Sequence, residues 1–192
     1  MQALLSRELD RIVPGMQRRP LTPEELFARF DRLGIAYRTY SHPPVFTVAE
    51  AAALRGRLPG GHCKSLFLKD KKGGYWLAVM LEARGVDLKK LAIRLGAPRF
   101  SFGNAGDLHN LLGVRPGSVT PFALVNDIEG LVTPVLDAMM LARDPLNYHP
   151  LENDRTTTIS PGDLLRFIAA TEHEPRIIEL GDLDRESAAS LN

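Results

Sequence analysis

The chain has 192 residues, 44% of them hydrophobic, which suits one domain with a sizeable core. Its 24 Lys and Arg against 23 Asp and Glu leave a net charge of +1, so there is no bulk electrostatic case for nucleic acid, only room for a local basic face. The single cysteine, Cys63, excludes an internal disulfide framework and a Cys-rich metal site, and fits a reducing cytoplasm. No apolar run approaches the length of a membrane span. Arg7, Glu8, Asp10 and Arg11 interrupt any signal-peptide core, so the expected compartment is the cytoplasm.

Residues 1–20 read as a helical appendage and linker. Leu4, Leu5, Leu9 and Ile12 share one face, and Pro14-Gly15 ends the pattern. A domain spanning 21–172 follows, with a terminal strand and tail over 173–192. Thr22-Pro23-Glu24-Glu25 is a capping box, and Gly34 stops the helix it opens. Ile35 to Tyr40 reads as a strand. Thr47-Val48-Ala49-Glu50 is a second capping box, opening a short helix to Leu54. His62 to Lys69 and Tyr75 to Leu81 read as a hairpin around a Lys- and Gly-rich turn. Asp87 caps a helix to Leu95, Arg99 to Phe102 is a short strand, and Asn104 to Leu112 is helical.

The next stretch, Gly113 to Pro121, holds two glycines and two prolines in nine residues, so it is neither a helix nor a central strand. The amides of Ser118, Val119 and Thr120 need partners there. A bent loop aims such donors at a carboxylate, a phosphate or an oxyanion; the plain alternative is a connecting turn. Beyond it, Phe122 to Asn126, Leu131 to Met140, Thr156 to Ile159 and Arg176 to Leu180 read as strands. Tyr148-His149-Pro150 reads as a loop, and Ser160 starts a last helix. Strands and helices alternate without a regular βαβ period. The fold class expected is therefore mixed α+β, a curved mixed sheet surrounded by helices.

Few side chains suggest chemistry. Lys64 opens an apolar strand, where it is either a solvated strand-end cation or a pocket cation for a carbonyl, phosphate or hydroxyl. Cys63 fits a small buried hydrophobe better than a nucleophile. The five histidines have no compact ligand spacing, so no metal is expected. His149 lies in a Pro-flanked loop of the kind that carries binding groups. A GxSxG elbow, a phosphate loop and a GxGxxG fingerprint are all missing, so no nucleotide cofactor is expected.

Three separated motifs occur in order: Cys63-Lys64-Ser65-Leu66-Phe67-Leu68; Gly113 through Phe122 with Asn126-Asp127; and His149-Pro150-Leu151-Glu152-Asn153 with Thr156 to Ile159. Together they resemble the YbaK/ProX family of aminoacyl-tRNA editing proteins, over roughly residues 22 to 170. The chain is most similar to the free-standing ProX branch, whose members clear alanine from alanyl-tRNA for proline. The resemblance implies a curved mixed sheet, no cofactor, and a site built on the GxxxP motif Gly117-Ser118-Val119-Thr120-Pro121, the motif lysine Lys64 and the motif histidine His149. It places Lys69 and Arg99 at the tRNA acceptor end. Ser65 stands where the branch usually has Asn, a shorter hydrogen-bonding group. The implied partners are mischarged tRNA and prolyl-tRNA synthetase, with the protein a monomer or homodimer. Two other readings stay open: a module that binds an aminoacyl-like ligand or nucleic acid without turnover, or docks on a synthetase, and a deacylase for Cys- or Ser-charged tRNA.

Overall fold

The first helix shows how closely local sequence sets its ends. Glu25 N–H donates to Thr22 Oγ1 at 3.3 Å, and Thr22 N–H donates back to Glu25 Oε2 at 2.9 Å, so two of the orphan amides of a helix start are satisfied. Helix α1 then runs Pro23–Leu33 and ends on Gly34, whose φ of 62° is the left-handed cap that favours glycine. The structure is a computed structural model that describes residues 19–42 and 58–180. The helices expected over residues 3–13 and 47–54, and the tail after 180, lie outside the described residues.

Chain order continues with β1 (Tyr37–Ser41), β2 (Gly61–Asp70), β3 (Tyr75–Leu81), α2 (Leu88–Leu95), β4 (Phe100–Phe102) and α3 (Ala105–Leu112). A 3₁₀ helix (Pro121–Asn126) precedes β5 (Val132–Asp137), α4 (Ala138–Leu141), β6 (Leu146–Tyr148), β7 (Arg155–Ile159), α5 (Pro161–Ala170) and β8 (Arg176–Ile178). The described strands form one eight-stranded mixed sheet in the order β1-β7-β6-β2-β3-β5-β8, with β4 also on β2. Strand β2 is shared. Gly61 and His62 pair parallel with β6, Cys63 to Lys69 antiparallel with β3, and Leu68 to Asp70 with β4.

Both faces of the sheet are covered. Side chains alternate along a strand. On β2, Cys63 and Phe67 therefore join the main core with Leu77, Val79 and Tyr148, while Leu66 and Leu68 join a second core with Met80 and the α2 residues Leu91 and Leu95. Phe30 is the centre of the main core. Its ring lies 5.1 Å from Phe122, 5.2 Å from Phe167 and 5.2 Å from Tyr37, and none of it is exposed.

Three local expectations are corrected. Phe122 to Asn126 is a 3₁₀ helix, not a strand. Pro121 opens it, the Ala123 amide donates to the Thr120 carbonyl, and Phe122 to Val125 are buried, so a short apolar run carries no period that tells the two apart. The strand expected to reach Met140 stops at Asp137, whose carboxylate accepts from the Met139 amide at 3.2 Å and starts α4. Tyr148, expected in a loop, closes β6 and pairs with Thr157.

Phe30→Ala is expected to destabilise the fold by about 3–5 kcal/mol, read as a lower urea midpoint at an unchanged slope. Ile93→Ala, at a site 72% exposed, is expected to change it by less than about 0.5 kcal/mol.

Candidate functional site

The site is built first from the loop after α3. Gly113 caps that helix, its amide donating to the His109 carbonyl at 2.9 Å. Asn126 ties the loop's root: its side chain donates to the Leu112 carbonyl at 2.9 Å and accepts from the Leu21 amide at 3.0 Å. Gly117 has a φ of 92°, a conformation that strains any residue with a Cβ. The Ser118 amide closes the turn on the Arg115 carbonyl at 3.0 Å. Ser118 N–H is therefore not among the spare donors expected from the sequence. Among the described residues, the amides of Val119 and Thr120 have no acceptor. Thr120 and Pro121 are buried, and the Thr120 hydroxyl accepts from the Phe122 amide at 3.4 Å, which holds the loop's exit rigid.

The second part is the loop between β6 and β7. It comes close to the first: a Cβ added to Gly117 would lie 3.9 Å from the Asn153 side-chain Nδ2. His149 starts this loop, and its Nδ1 lies 3.0 Å from the Arg155 carbonyl. A carbonyl only accepts, so Nδ1 carries the proton and Nε2 presents a lone pair. Burial pushes the His149 pKa below the ordinary imidazole value, outweighing the Arg155 hydrogen bond that raises it, and nearby His42 adds to the lowering. The two imidazole rings are 6.3 Å apart, and His42 Nε2 is 3.0 Å from the Thr156 hydroxyl. Arg155 steadies the loop from outside through Glu24 at 2.7 Å.

Lys64 and Ser65 sit on β2. By alternation, Lys64 shares the face of Leu66 and Leu68, whereas Val119 of the first loop packs on the main core with Cys63. The Lys64 ammonium donates to the Arg84 carbonyl, and the Arg84 guanidinium lies 3.4 Å from the fully buried Asp137 carboxylate. The structure thus brings the Gly117 and His149 loops close to each other, and ties Lys64 to the Arg84–Asp137 segment. The Ser65 hydroxyl is buried without a hydrogen-bond partner among the described residues.

Lys69 lies farther along β2, and Arg99 is exposed just before β4. The Lys69 ammonium bonds the Tyr75 hydroxyl at 2.8 Å and the Asp107 carboxylate at 3.0 Å, and both raise its pKa. Cys63 is no nucleophile at neutral pH, because burial pushes its thiol up to about 11. Sequence reading missed Arg84, Asp137 and Asp107 as partners. Arg84 and Asp107 lie far along the chain from Lys64 and Lys69, and Asp137 far from Arg84, so no spacing links them. Among the described residues no group of three His, Cys, Asp or Glu is placed to hold a metal. No described helix is long and apolar enough to cross a membrane.

A family model for the aminoacyl-tRNA editing domain matches residues 42–167, a span that contains Lys64, the Gly117 loop and His149. The chain belongs to the aminoacyl-tRNA editing domain family. Its YbaK/ProX character extends over most of its length. It is 31% identical over 158 residues to the prolyl-tRNA editing protein ProX of Acetoanaerobium sticklandii, covering 82% of this chain and 96% of that one. It is also 40% identical over 157 residues to prolyl-tRNA synthetase associated domain-containing protein 1 of Danio rerio, covering 81% and 85%. Among solved structures, the hypothetical protein APE2540 shares the fold at a TM-score of 0.63 and 24% identity, over 81% of this chain and 98% of that one. A candidate trans-editing enzyme for prolyl tRNA synthetase shares it at 0.65 and 20%, over 86% and 99%. The editing-domain fold is thus the mixed sheet described above.

His149 supplies a pH test. Its folded pKa lies below the unfolded value of about 6.5, so its contribution to stability is present above that value and is lost as pH falls through the folded pKa. Unfolding free energies measured between pH 7.5 and 5 are expected to fall more steeply for the wild type than for His149→Gln. Equal slopes would contradict the buried neutral imidazole.

Proposed function

We propose that this editing-domain protein hydrolyses the ester of mischarged aminoacyl-tRNA in trans, with alanyl-tRNA for proline as its substrate. The observation that carries the reading is the close approach of the Gly117 and His149 loops. It sets the Val119 amide, which has no acceptor among the described residues, on a loop close to the one carrying a neutral imidazole. Family membership supports the substrate class, and the match to ProX supports tRNA for proline.

An aminoacyl ester is already activated, so the protein's task is to position a water and to stabilise the tetrahedral oxyanion. The Val119 amide holds the scissile carbonyl and receives its developing charge. Gly117 and the Ser118 turn set the amide's direction, and Pro121 with the buried Thr120 side chain keeps it. His149 Nε2, with its lone pair, orients the water or takes its proton. Lys64 binds the phosphate or ribose of the terminal adenosine in exchange for the Arg84 carbonyl. Ser65 lines the amino-acid side of the pocket, and Lys69 and Arg99 approach the acceptor stem. Small walls admit alanine and exclude larger side chains. This complements a synthetase that discriminates one methylene by only about 1–3 kcal/mol. The partner on this reading is the acceptor end of tRNA, delivered from prolyl-tRNA synthetase in the cytoplasm.

The test is a deacylation panel with alanyl-, cysteinyl- and seryl-tRNA. Release of alanine from tRNA for proline is expected to be fastest. Preference for cysteine or serine would move the substrate to another branch, and saturable tRNA binding with no release would make this a binding module. Lys64→Ala, and Gly117→Ala through its left-handed φ, are each expected to lower the rate by about 100-fold or more while far-UV circular dichroism stays unchanged. Wild-type rates in both variants would remove these residues from the site. As pH falls, the rate is expected to drop only below the ordinary histidine range, because His149 holds its lone pair to lower pH.

A further inference from the structure

Strand β4 reads Phe-Ser-Phe, and its two aromatic rings have opposite fates. Phe100 is buried, with its ring 5.4 Å from Trp76 and nearly perpendicular to it. Phe102 is 65% exposed. An exposed phenylalanine loses the burial that favours it elsewhere, and scattered cases need no explanation. Two features set this one apart.

The first is its mounting. Phe102 is in register with Leu68 on β2, and the next amide, Gly103 N–H, donates to the Phe67 carbonyl at 2.9 Å. A Cβ on Gly103 would lie 2.3 Å from the Phe67 ring, so the backbone there is packed too closely to shift. Asn104 then caps α3, accepting from the Asp107 amide at 2.7 Å. The ring is therefore presented from a fixed backbone between the sheet and a helix start.

The second is its charge environment. Residues 87–104 carry Lys89, Lys90, Arg94 and Arg99 against a single carboxylate, Asp87, whose oxygen is taken up in capping α2, although the whole chain is balanced at +1. Arg99 is exposed and directly precedes β4. The exposed Lys71 and Lys72 lie in the turn that follows Asp70, the register partner of Phe100. The carboxylate nearest in sequence after β4, Asp107, already pairs with Lys69.

A rigid, exposed aromatic face on a strand that follows an exposed arginine, in a segment rich in cations, matches a single-stranded nucleic acid, whose phosphates meet the cations while a base stacks on the ring. We infer that Phe102 is a stacking platform for an unpaired base at the 3′ end of tRNA, with the cations of residues 88–104 tracking the adjoining phosphates. The inference rests on tRNA being the substrate, but it concerns binding and not turnover. It makes Phe102 a positioning residue for the acceptor end.

The experiment measures the Kd of fluorescently labelled, uncharged tRNA for proline as a function of salt. Phe102→Ala is expected to weaken binding roughly tenfold, and Phe102→Trp to bind at least as tightly as wild type. The slope of log Kd against log salt should be unchanged in Phe102→Ala, because stacking releases no counterions, and should fall by about one in Arg99→Ala. Thermal unfolding checks that the Phe102→Ala variant folds. Wild-type affinity in folded Phe102→Ala overturns the inference. So does intact tRNA affinity with weakened binding to prolyl-tRNA synthetase, which would make the ring a protein-docking residue. A wild type that binds tRNA through Phe102 yet deacylates nothing would refute the proposed reaction and leave this inference standing.

Discussion

Strand β2 is the constraint on which the rest of the structure depends. It is hydrogen-bonded to three other strands along its length, and both of its faces are covered. In a strand of that kind the alternation of side chains assigns every residue to one of two environments. Cys63 goes to the main core, where burial silences its thiol. Lys64 goes to the other face, beside the segment of Arg84 and Asp137. A slip of one residue would exchange these positions and bury a cation in the main core, so the packing on the two faces fixes the register.

The two loops of the candidate site are held by different means, suited to different tasks. The Gly117 loop is fixed by its own backbone: a left-handed glycine, a turn closed by Ser118, and a proline that opens the 3₁₀ helix. Such a loop can hold amides without acceptors in a constant direction, which is what stabilising a developing charge requires, since no reorganisation is then needed during reaction. The His149 loop is fixed by side chains, through Arg155 to Glu24 and through the imidazole to a carbonyl. The carbonyl selects a tautomer and burial lowers the pKa, which are the properties wanted of a group that handles a proton at neutral pH. Their close approach near Gly117 and Asn153 therefore sets two complementary kinds of preorganisation side by side.

Polar groups buried near β2 are the least comfortable part of the molecule. Asp137 is fully buried and faces Arg84, whose Nε and one terminal nitrogen make no hydrogen bond within the described residues, although Arg84 takes part in other interactions. The Ser65 hydroxyl is buried without a described partner on the same strand. Buried polar atoms of this kind cost stability, and they concentrate here, next to Lys64, and not in the aromatic core around Phe30. Local rules of folding are broken where binding chemistry is expected and kept elsewhere.

Much of this was determined by sequence alone. Capping residues located helix starts at Thr22, Asp87, Asn104 and Ser160, because a cap acts on amides two or three positions away and needs no tertiary contact. The β2–β3 hairpin, the non-helical Gly113 to Pro121 loop and the three family motifs were legible for the same reason. Tertiary structure decided what depends on distant partners. It made the buried Phe122 to Val125 run a 3₁₀ helix and drew Tyr148 into β6 by pairing it with Thr157. It also set Lys64 against Arg84 and left Phe102 facing solvent while Phe100 was buried. Short apolar runs and single polar groups carry no period, so only the neighbours supplied by the rest of the chain fix their conformation and their partners.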